Sequence, residues 1–325
     1  VDVSDREVDV SVVVVAWNSA DWIERCVSSI AAGCGALTRE VLVHDNASRD
    51  ETATKASAAF GAENGAVLRS ATNDGFAGGV NRAMLRARGR FVLLLNPDCE
   101  LQPGCVETLV ARLEASPDAA GAAPLLVGDD GAPQSEFQLR RFPTLRTFVS
   151  ELLMVERLTG SSSEIDRYRC RDLDPAVEQP VEQPAGAALL LRRDVMASVG
   201  PLDERFAPAW FEDVDYCKRI AATGARLMFV PSARAVHHGG SSLDAMAPGE
   251  FVGVWYRNLW RYAEKWLTAD ERELLRLAVI AGAAMRCTAV ALGLGPRDRR
   301  PGLLAAYAGV VRSACTRWQN ESRSS

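Results

Sequence analysis

A chain of 325 residues accommodates one large domain or two modest ones, and 48% apolar with 24% charged residues is ordinary for a globular protein with a sizeable core. The net charge of −5 argues against nucleic acid as a partner. No period of 20–50 residues recurs, which excludes a solenoid.

In chain order, Val10 to Ala16 is a β-branched run that reads as a buried strand, and Ser19 is a candidate N-cap for a helix presenting Trp22, Ile23, Cys26, Val27 and Ile30 on one face. Val41 to Val43 is a second strand, ending in His44-Asp45-Asn46, and Arg49 to Phe60 reads as a helix. Ala66 to Leu68 is a third strand, Gly78 to Arg88 a helix, and Phe91 to Leu95 a fourth strand. A helix follows from Pro103 to about Ala115, then a strand at Ala122 to Val127 and a turn at Gly128-Asp-Asp-Gly131. From Phe137 to Pro184 the mixture of Arg, Pro, Ser and Glu predicts a mobile loop or lid with one helix near Thr147 to Leu158. Gly186 to Leu191 is a strand, Arg193 to Val199 and Val214 to Ala222 are helices, and Arg226 to Val230 is a strand. The remainder is helical, at Glu250 to Trp266, Ala269 to Cys287 and Pro301 to Trp318. Alternating strands and helices predict an α/β fold, a mostly parallel sheet flanked by helices over residues 1–248, with a helical extension over 249–325.

The eight cysteines form no C-x-x-C pair, and Cys26, Cys99 and Cys217 fall within apolar or helical patterns, as reduced thiols of a cytosolic protein do. Asp2, Asp5, Glu7 and Asp9 do not fit a secretory signal. From Glu271 onward nine arginines face four carboxylates, which reads either as a solvated helix face or as contact with an anionic membrane surface. Leu277 to Gly295 is interrupted by Arg286, a poor membrane span that suits an interface better.

Five segments carry the candidate chemistry. Asp98 follows five apolar strand residues, and a carboxylate at the tip of a buried strand is costly unless something there uses its charge. With substrate phosphates it makes a site for a hard divalent cation; a solvent-facing turn after Pro97 is the structural alternative. Asp45 ends the second strand, placed either to accept from a pyrimidine N3–H or ribose hydroxyl, or to cap a helix. Gly75-Phe-Ala-Gly-Gly79 opens a helix whose N–H groups suit a diphosphate, though a plain turn has the same composition. Glu212, Asp213 and Asp215 begin a helix, where the dipole favours acidic residues, and Trp210-Phe211 beside them makes a partly dry pocket that raises a carboxylate toward base duty. His237 and His238, two of only three histidines, offer imidazole nitrogens to a metal.

In order, Val14-Val-Ala-Trp-Asn18, Asp45 to Asp50, Asn73 to Asn81, Leu95-Asn-Pro-Asp98, Phe211 to Arg219 and His237-His-Gly-Gly-Ser-Ser242 make the chain resemble the family 2 glycosyltransferases of GT-A fold, in their bacterial rhamnosyltransferase branch, over roughly residues 8 to 265. The resemblance implies that Asp45 contacts the base and that Asn18, Asn73, Gly75, Gly78, Asn81 and Asn96 line the donor site. It places Asp98 on Mg2+ or Mn2+ with His237 completing the shell, and makes Asp213 the base with Glu212 beside it. Asn96 replaces the first carboxylate of the D-x-D motif, leaving one charge fewer on the metal. The implied reaction is inverting transfer of L-rhamnose from dTDP-rhamnose to a hydroxyl of a bacterial surface glycan or polyprenyl-linked acceptor, in polysaccharide or cell-wall biogenesis. The implied location is the cytoplasm, peripheral on the inner face of the membrane, with a homodimer as one use of the C-terminal helices. The alternatives are a UDP-sugar transferase of the same fold and a degenerate domain that binds a glycan or a partner. A nucleotidyltransferase is disfavoured because Ala16-Trp-Asn-Ser-Ala20 has no basic residue to hold a triphosphate.

Overall fold

The computed structural model of the protein describes residues 8–61, 64–239, 246–294 and 300–316. The chain divides into two units, residues 1–142 with 170–242 and residues 143–169 with 243–325.

The first unit runs β1 (Val10–Ala16), α1 (Ile23–Cys34), β2 (Arg39–Asp45), α2 (Thr52–Ala59), β3 (Gly65–Arg69), α3 (Gly75–Met84), β4 (Phe91–Leu95), β5 (Cys99–Leu101), α4 (Cys105–Glu114), β6 (Ala119–Val127), α5 (Ser135–Gln138) and β7 (Leu139–Arg140). The chain then contributes α6 (Leu145–Leu152), α7 (Val155–Thr159) and α8 (Ser163–Tyr168) to the second unit. It returns as β8 (Gln179–Val181), β9 (Gln183–Pro184), β10 (Ala188–Arg192), α9 (Arg193–Val199), α10 (Glu212–Ala222) and β11 (Arg226–His237). The second unit closes with α11 (Pro248–Trp266), α12 (Ala269–Ala291) and α13 (Arg300–Cys315).

The sheet order is β3-β2-β1-β4-β10-β6-β11-β5, with β8 also on β11. β1 is parallel to β2 and β4, β2 to β3, and β6 to β11, whereas β10 is antiparallel to β4 and β6 and β5 antiparallel to β11. The sheet is therefore mixed at its centre. One edge gathers the ends of β1, β2, β3, β4, β6 and β11 together with the starts of β5 and β10. Ligands of open α/β sheets bind at such an edge.

Strand periodicity of two sorts the core. Val12, Val14, Leu93 and Leu95 pack with Ile23 and Ile30 of α1 and Leu109 and Leu113 of α4. Val13, Val15, Leu94 and Leu191 point the other way, against Val80 and Ala83 of α3 and Tyr216 and Ile220 of α10. Helix α3 approaches the sheet so closely that a Cβ on Gly79 would lie 2.6 Å from Val15 Cγ1. Gly79→Ala is accordingly expected to destabilise the protein by about 1–3 kcal/mol, read from urea unfolding midpoints, because that contact cannot open without shifting the helix.

Several boundaries differ from expectation, for local reasons. Ser19 does not cap α1: its hydroxyl turns back to the Trp17 carbonyl and the helix starts at Ile23. The glycines from Gly75 do not precede α3 but form its first turn. Residues 137–184 are not one loop; they hold α6, α7 and α8, and strands β8 and β9 that pair with β11 and β7. The two Glu-Gln-Pro repeats are those short strands, the edge or end positions where proline is tolerated. β11 continues past Pro231 through a register shift between Val230 and Arg234 and so reaches His237.

In the second unit Arg286 does not interrupt α12. Its guanidinium donates to the carbonyls of Glu151 at 3.0 Å, of Gly282 at 3.1 Å and of Leu152, capping the end of α6. By length and composition α12 is long and apolar enough to cross a membrane. This unit also holds a pocket of about 370 Å3 bordered by Phe251, Trp255, Tyr256, Arg286 and Tyr307, and no candidate site residue borders it. No disulfide forms among the described residues, and Cys26, Cys99 and Cys217 are buried.

Candidate active site at the sheet edge

The tips of β1 and β2 are tied into one surface. Asp45 is the last residue of β2, opposite Ala16, and its Oδ1 accepts the Ser48 N–H at 3.1 Å. Asn18, at φ 49°, donates its N–H to Ser48 Oγ at 2.9 Å and accepts the Arg49 N–H on Oδ1 at 2.9 Å. Buried Asn46 reaches the next loop, donating from Nδ2 to the Gly75 carbonyl at 3.0 Å and accepting the Asp74 N–H at 3.3 Å.

Asn73 Oδ1 accepts the Gly75 N–H at 2.9 Å, in an Asx turn that starts α3. Gly75 has φ 74°, and a Cβ there would lie 2.8 Å from the Pro208 carbonyl oxygen, so only glycine fits. Gly78 sits in the first turn beside Asp74. Asn81 lies further along and grips the segment before α10. It donates to the Leu202 carbonyl and to Glu204 Oε1, both at 2.9 Å, and accepts the Leu202 N–H at 2.9 Å. Its amide thus braces protein against protein.

Asn96 continues from β4, and its N–H donates to the Ala187 carbonyl at 2.8 Å, just before β10. Asp98 is buried, with its carbonyl accepting the His238 N–H at 3.0 Å. The β5–β11 ladder sets Cys99 opposite His237, which brings His237 Nε2 to 3.6 Å from Asp98 Oδ1. Burial holds the His237 imidazole below the ordinary histidine range, against the pull of Asp98. A neutral imidazole and a carboxylate are a suitable start for a divalent-cation site. Asp98, Cys99 and His237 offer ligand atoms within 4.8 Å of one another. The Cys99 thiol is turned to the Ala187 carbonyl, to which it donates at 3.3 Å, and this leaves an O,N donor pair. That pair fits a hard ion such as Mg2+ or Mn2+, whose remaining positions phosphate oxygens fill. His238 is occupied otherwise: Nε2 meets Glu100 Oε1 at 2.7 Å, Nδ1 meets Asp129 Oδ1 at 2.5 Å, and the ring stacks on Trp22 at 4.7 Å. Gly240 to Ser242 lie outside the described residues.

The carboxylates of α10 have three different environments. Asp215 is fully buried and bound to Arg219 Nε at 3.0 Å, with Arg219 also donating to the Val199 and Pro201 carbonyls. Glu212 is buried, its Oε2 has no hydrogen-bond partner among the described residues, and burial together with the Asp213 charge raises its pKa well above normal. Asp213 is part-exposed and therefore reachable by a substrate. Loss of hydration among the surrounding side chains raises its pKa too, against hydrogen bonds from the backbone of Val214 and Gly186 and the side chain of Gln183. Trp210 and Phe211 both have positive φ, 73° and 74°, an uncommon conformation for bulky residues, and it delivers α10 to this point.

The edge thus assembles Asp45, Asn96, Asp98 and His237 from the tips of β2, β4, β5 and β11, with Asp213 beside Gly186, just before β10. Gln134, Gln183 and Gly186 escaped the sequence reading because nothing in their type or spacing carries chemistry.

Residues 11–163 match the family model Glycosyl transferase family 2. The N-acetylglucosaminyl-diphospho-decaprenol L-rhamnosyltransferase of Mycobacterium tuberculosis (strain ATCC 25618 / H37Rv) is 28% identical over 242 residues, covering 71% of this chain and 76% of that one. Rhamnosyltransferase WbbL of Escherichia coli (strain K12) is 24% identical over 148 residues, 46% of this chain and 52% of its own. The solved structure of GalNAc-T7 with UDP, GalNAc and Mn2+ shares the fold, with a TM-score of 0.59 at 16% identity over 94% of this chain and 56% of that one. Fold and relatives together define a nucleotide-sugar glycosyltransferase of GT-A architecture. The chain carries a family 2 glycosyltransferase domain over residues 11–163, and bacterial rhamnosyltransferases are among its relatives.

Proposed function

We propose that the protein transfers a sugar, L-rhamnose from dTDP-rhamnose, to a hydroxyl of a polyprenyl-diphosphate-linked glycan with inversion at the anomeric carbon. The observation that carries this reading is the buried Asp98–His237 pair, 3.6 Å apart on the edge that also presents Asp213. Asp98 and His237 would hold Mg2+ or Mn2+, which when bound balances the charge gathering on the departing diphosphate. Asp45 accepts a hydrogen bond from the base or ribose, while Asn18, Asn73, Gly75, Gly78 and Asn96 line the donor. Asn81 acts indirectly, by holding the segment that leads to α10. Asp213 takes the proton of the acceptor hydroxyl as that oxygen bonds to C1 from the face opposite the diphosphate. The C1–O bond to the diphosphate breaks with its electron pair, and no sugar–enzyme bond forms. Glu212 lies beside it, buried and drawn toward its neutral form by that burial and by the Asp213 charge.

The relatives' names support rhamnose and a decaprenyl-diphosphate acceptor, and a UDP-sugar is the alternative donor. Calorimetric titration with dTDP and with UDP, each with and without Mn2+, separates them. Metal-dependent preference for dTDP is the expected result. Preference for UDP replaces the sugar, and binding of neither nucleotide returns the protein to the degenerate-domain reading.

A further inference from the structure

Gln134, in the turn between β6 and α5, makes two hydrogen bonds to a single residue. Its Nε2 donates to the His237 carbonyl at 2.7 Å, and its Oε1 lies 2.8 Å from His237 Nδ1. A backbone carbonyl only accepts, so the amide nitrogen must face it. The amide oxygen is then what faces the ring, and it too only accepts. Nδ1 must therefore carry the hydrogen. A neutral imidazole has one such hydrogen, which leaves a lone pair on Nε2, the atom 3.6 Å from Asp98 Oδ1. That separation is too long for a hydrogen bond. A lone pair facing a carboxylate is a poor electrostatic arrangement unless a cation lies between them.

The surroundings leave the ring little room to turn. Phe137, from the same short segment as Gln134, stacks on it at 4.9 Å with 17° between the planes. The β5–β11 ladder fixes its backbone, and on the next residue both ring nitrogens of His238 face carboxylates.

We propose that Gln134 is a positioning residue that locks His237 in the Nδ1–H tautomer, so that Nε2 is presented beside Asp98 to a divalent cation. This rests on the metal-site reading given above. Ligating histidines are commonly oriented through their second nitrogen in this way, and loss of such a partner weakens metal affinity about 10–100-fold.

The test uses the 325-residue chain labelled with 15N-histidine, in which only His44, His237 and His238 contribute ring signals. In metal-free wild type, two-bond 1H–15N spectra are expected to show His237 as the Nδ1–H tautomer. Gln134→Leu should shift that ring toward a tautomer mixture and weaken Mn2+ binding, measured by calorimetry with dTDP present, about 10–100-fold. Gln134→Ala, which adds no bulk, carries the same expectation if the leucine variant fails to fold. Gln134→Glu keeps an acceptor for Nδ1–H but loses the donor to the His237 carbonyl, and should retain the Nδ1–H tautomer and more of the affinity than the Leu and Ala variants, a partial rescue that a merely structural role does not predict. An Nε2–H tautomer in wild type, or wild-type Mn2+ affinity in the Leu and Ala variants, overturns the proposal while leaving the metal site standing. A wild type that shows Nδ1–H but binds no Mn2+ overturns the metal reading itself, and with it the presentation to a cation.

Discussion

Asp213→Asn is expected to lower kcat about a thousandfold, near 4 kcal/mol of transition-state stabilisation, with donor affinity close to wild type. The amide has nearly the shape of the carboxylate, and its oxygen can still accept the Val214 N–H that now lies 2.8 Å from Oδ1. What it cannot do is receive a proton. Partial desolvation raises the Asp213 pKa, and the base must be ionised to act, so wild-type kcat/KM should fall with decreasing pH along a limb shifted upward from that of a free aspartate. That limb should be missing from the residual activity of the variant. The stability effect has the opposite sign. A carboxyl whose folded pKa is raised contributes stability below its unfolded pKa and loses it as pH rises through the folded value. In thermal melts above that pH, Asp213→Asn should therefore be at least as stable as wild type. Normal turnover in the variant would move the base role to Glu212, since Asp215 is held by Arg219.

Asp98→Ala should abolish the metal dependence of donor binding and reduce kcat by about a thousandfold, because several kcal/mol of charge stabilisation at the leaving diphosphate go with the ion. The expected signature is a nucleotide affinity that no longer responds to Mn2+ in calorimetry, with the cooperative melt retained. An unchanged metal response would remove Asp98 from the site and leave His237 without its partner. Asn96 sharpens this test: it brings no charge to the edge, so Asp98 is the carboxylate that the Leu95-Asn-Pro-Asp98 segment supplies.

The parts of this fold that were legible in the sequence are those whose signal is local. Val10–Ala16 and Phe91–Leu95 are buried on both faces, so their apolar runs are continuous, and the polar residues after them mark the edge where ligands bind. Asp45 and Asp98 could be picked out because a carboxylate at a strand tip contradicts the run before it. The direction of β10 had no such signal, since an apolar strand reads alike in either direction. Nor did the short strand β5, although it sets Cys99 opposite His237. The separation of Asp213 from Asp215 was also out of reach: both sit in the first turn of α10, and only the fold shows that Arg219 holds one and that Gly186 lies beside the other. Residues 143–169 were read as part of a lid because their helices are short, and a five- or six-residue helix carries too little periodicity to register.

The linker into α10 holds Trp210 and Phe211 in a conformation that bulky side chains resist by about 1–3 kcal/mol each. Relaxing either residue to an ordinary backbone angle would stabilise the linker but swing the first turn of α10, and Asp213 with it, away from Gly186. Selection for heat resistance and selection for turnover therefore pull this dipeptide in opposite directions. Variants recovered for thermal tolerance alone should accumulate here and turn over slowly, whereas those recovered for rate should keep the strain and stabilise the protein elsewhere.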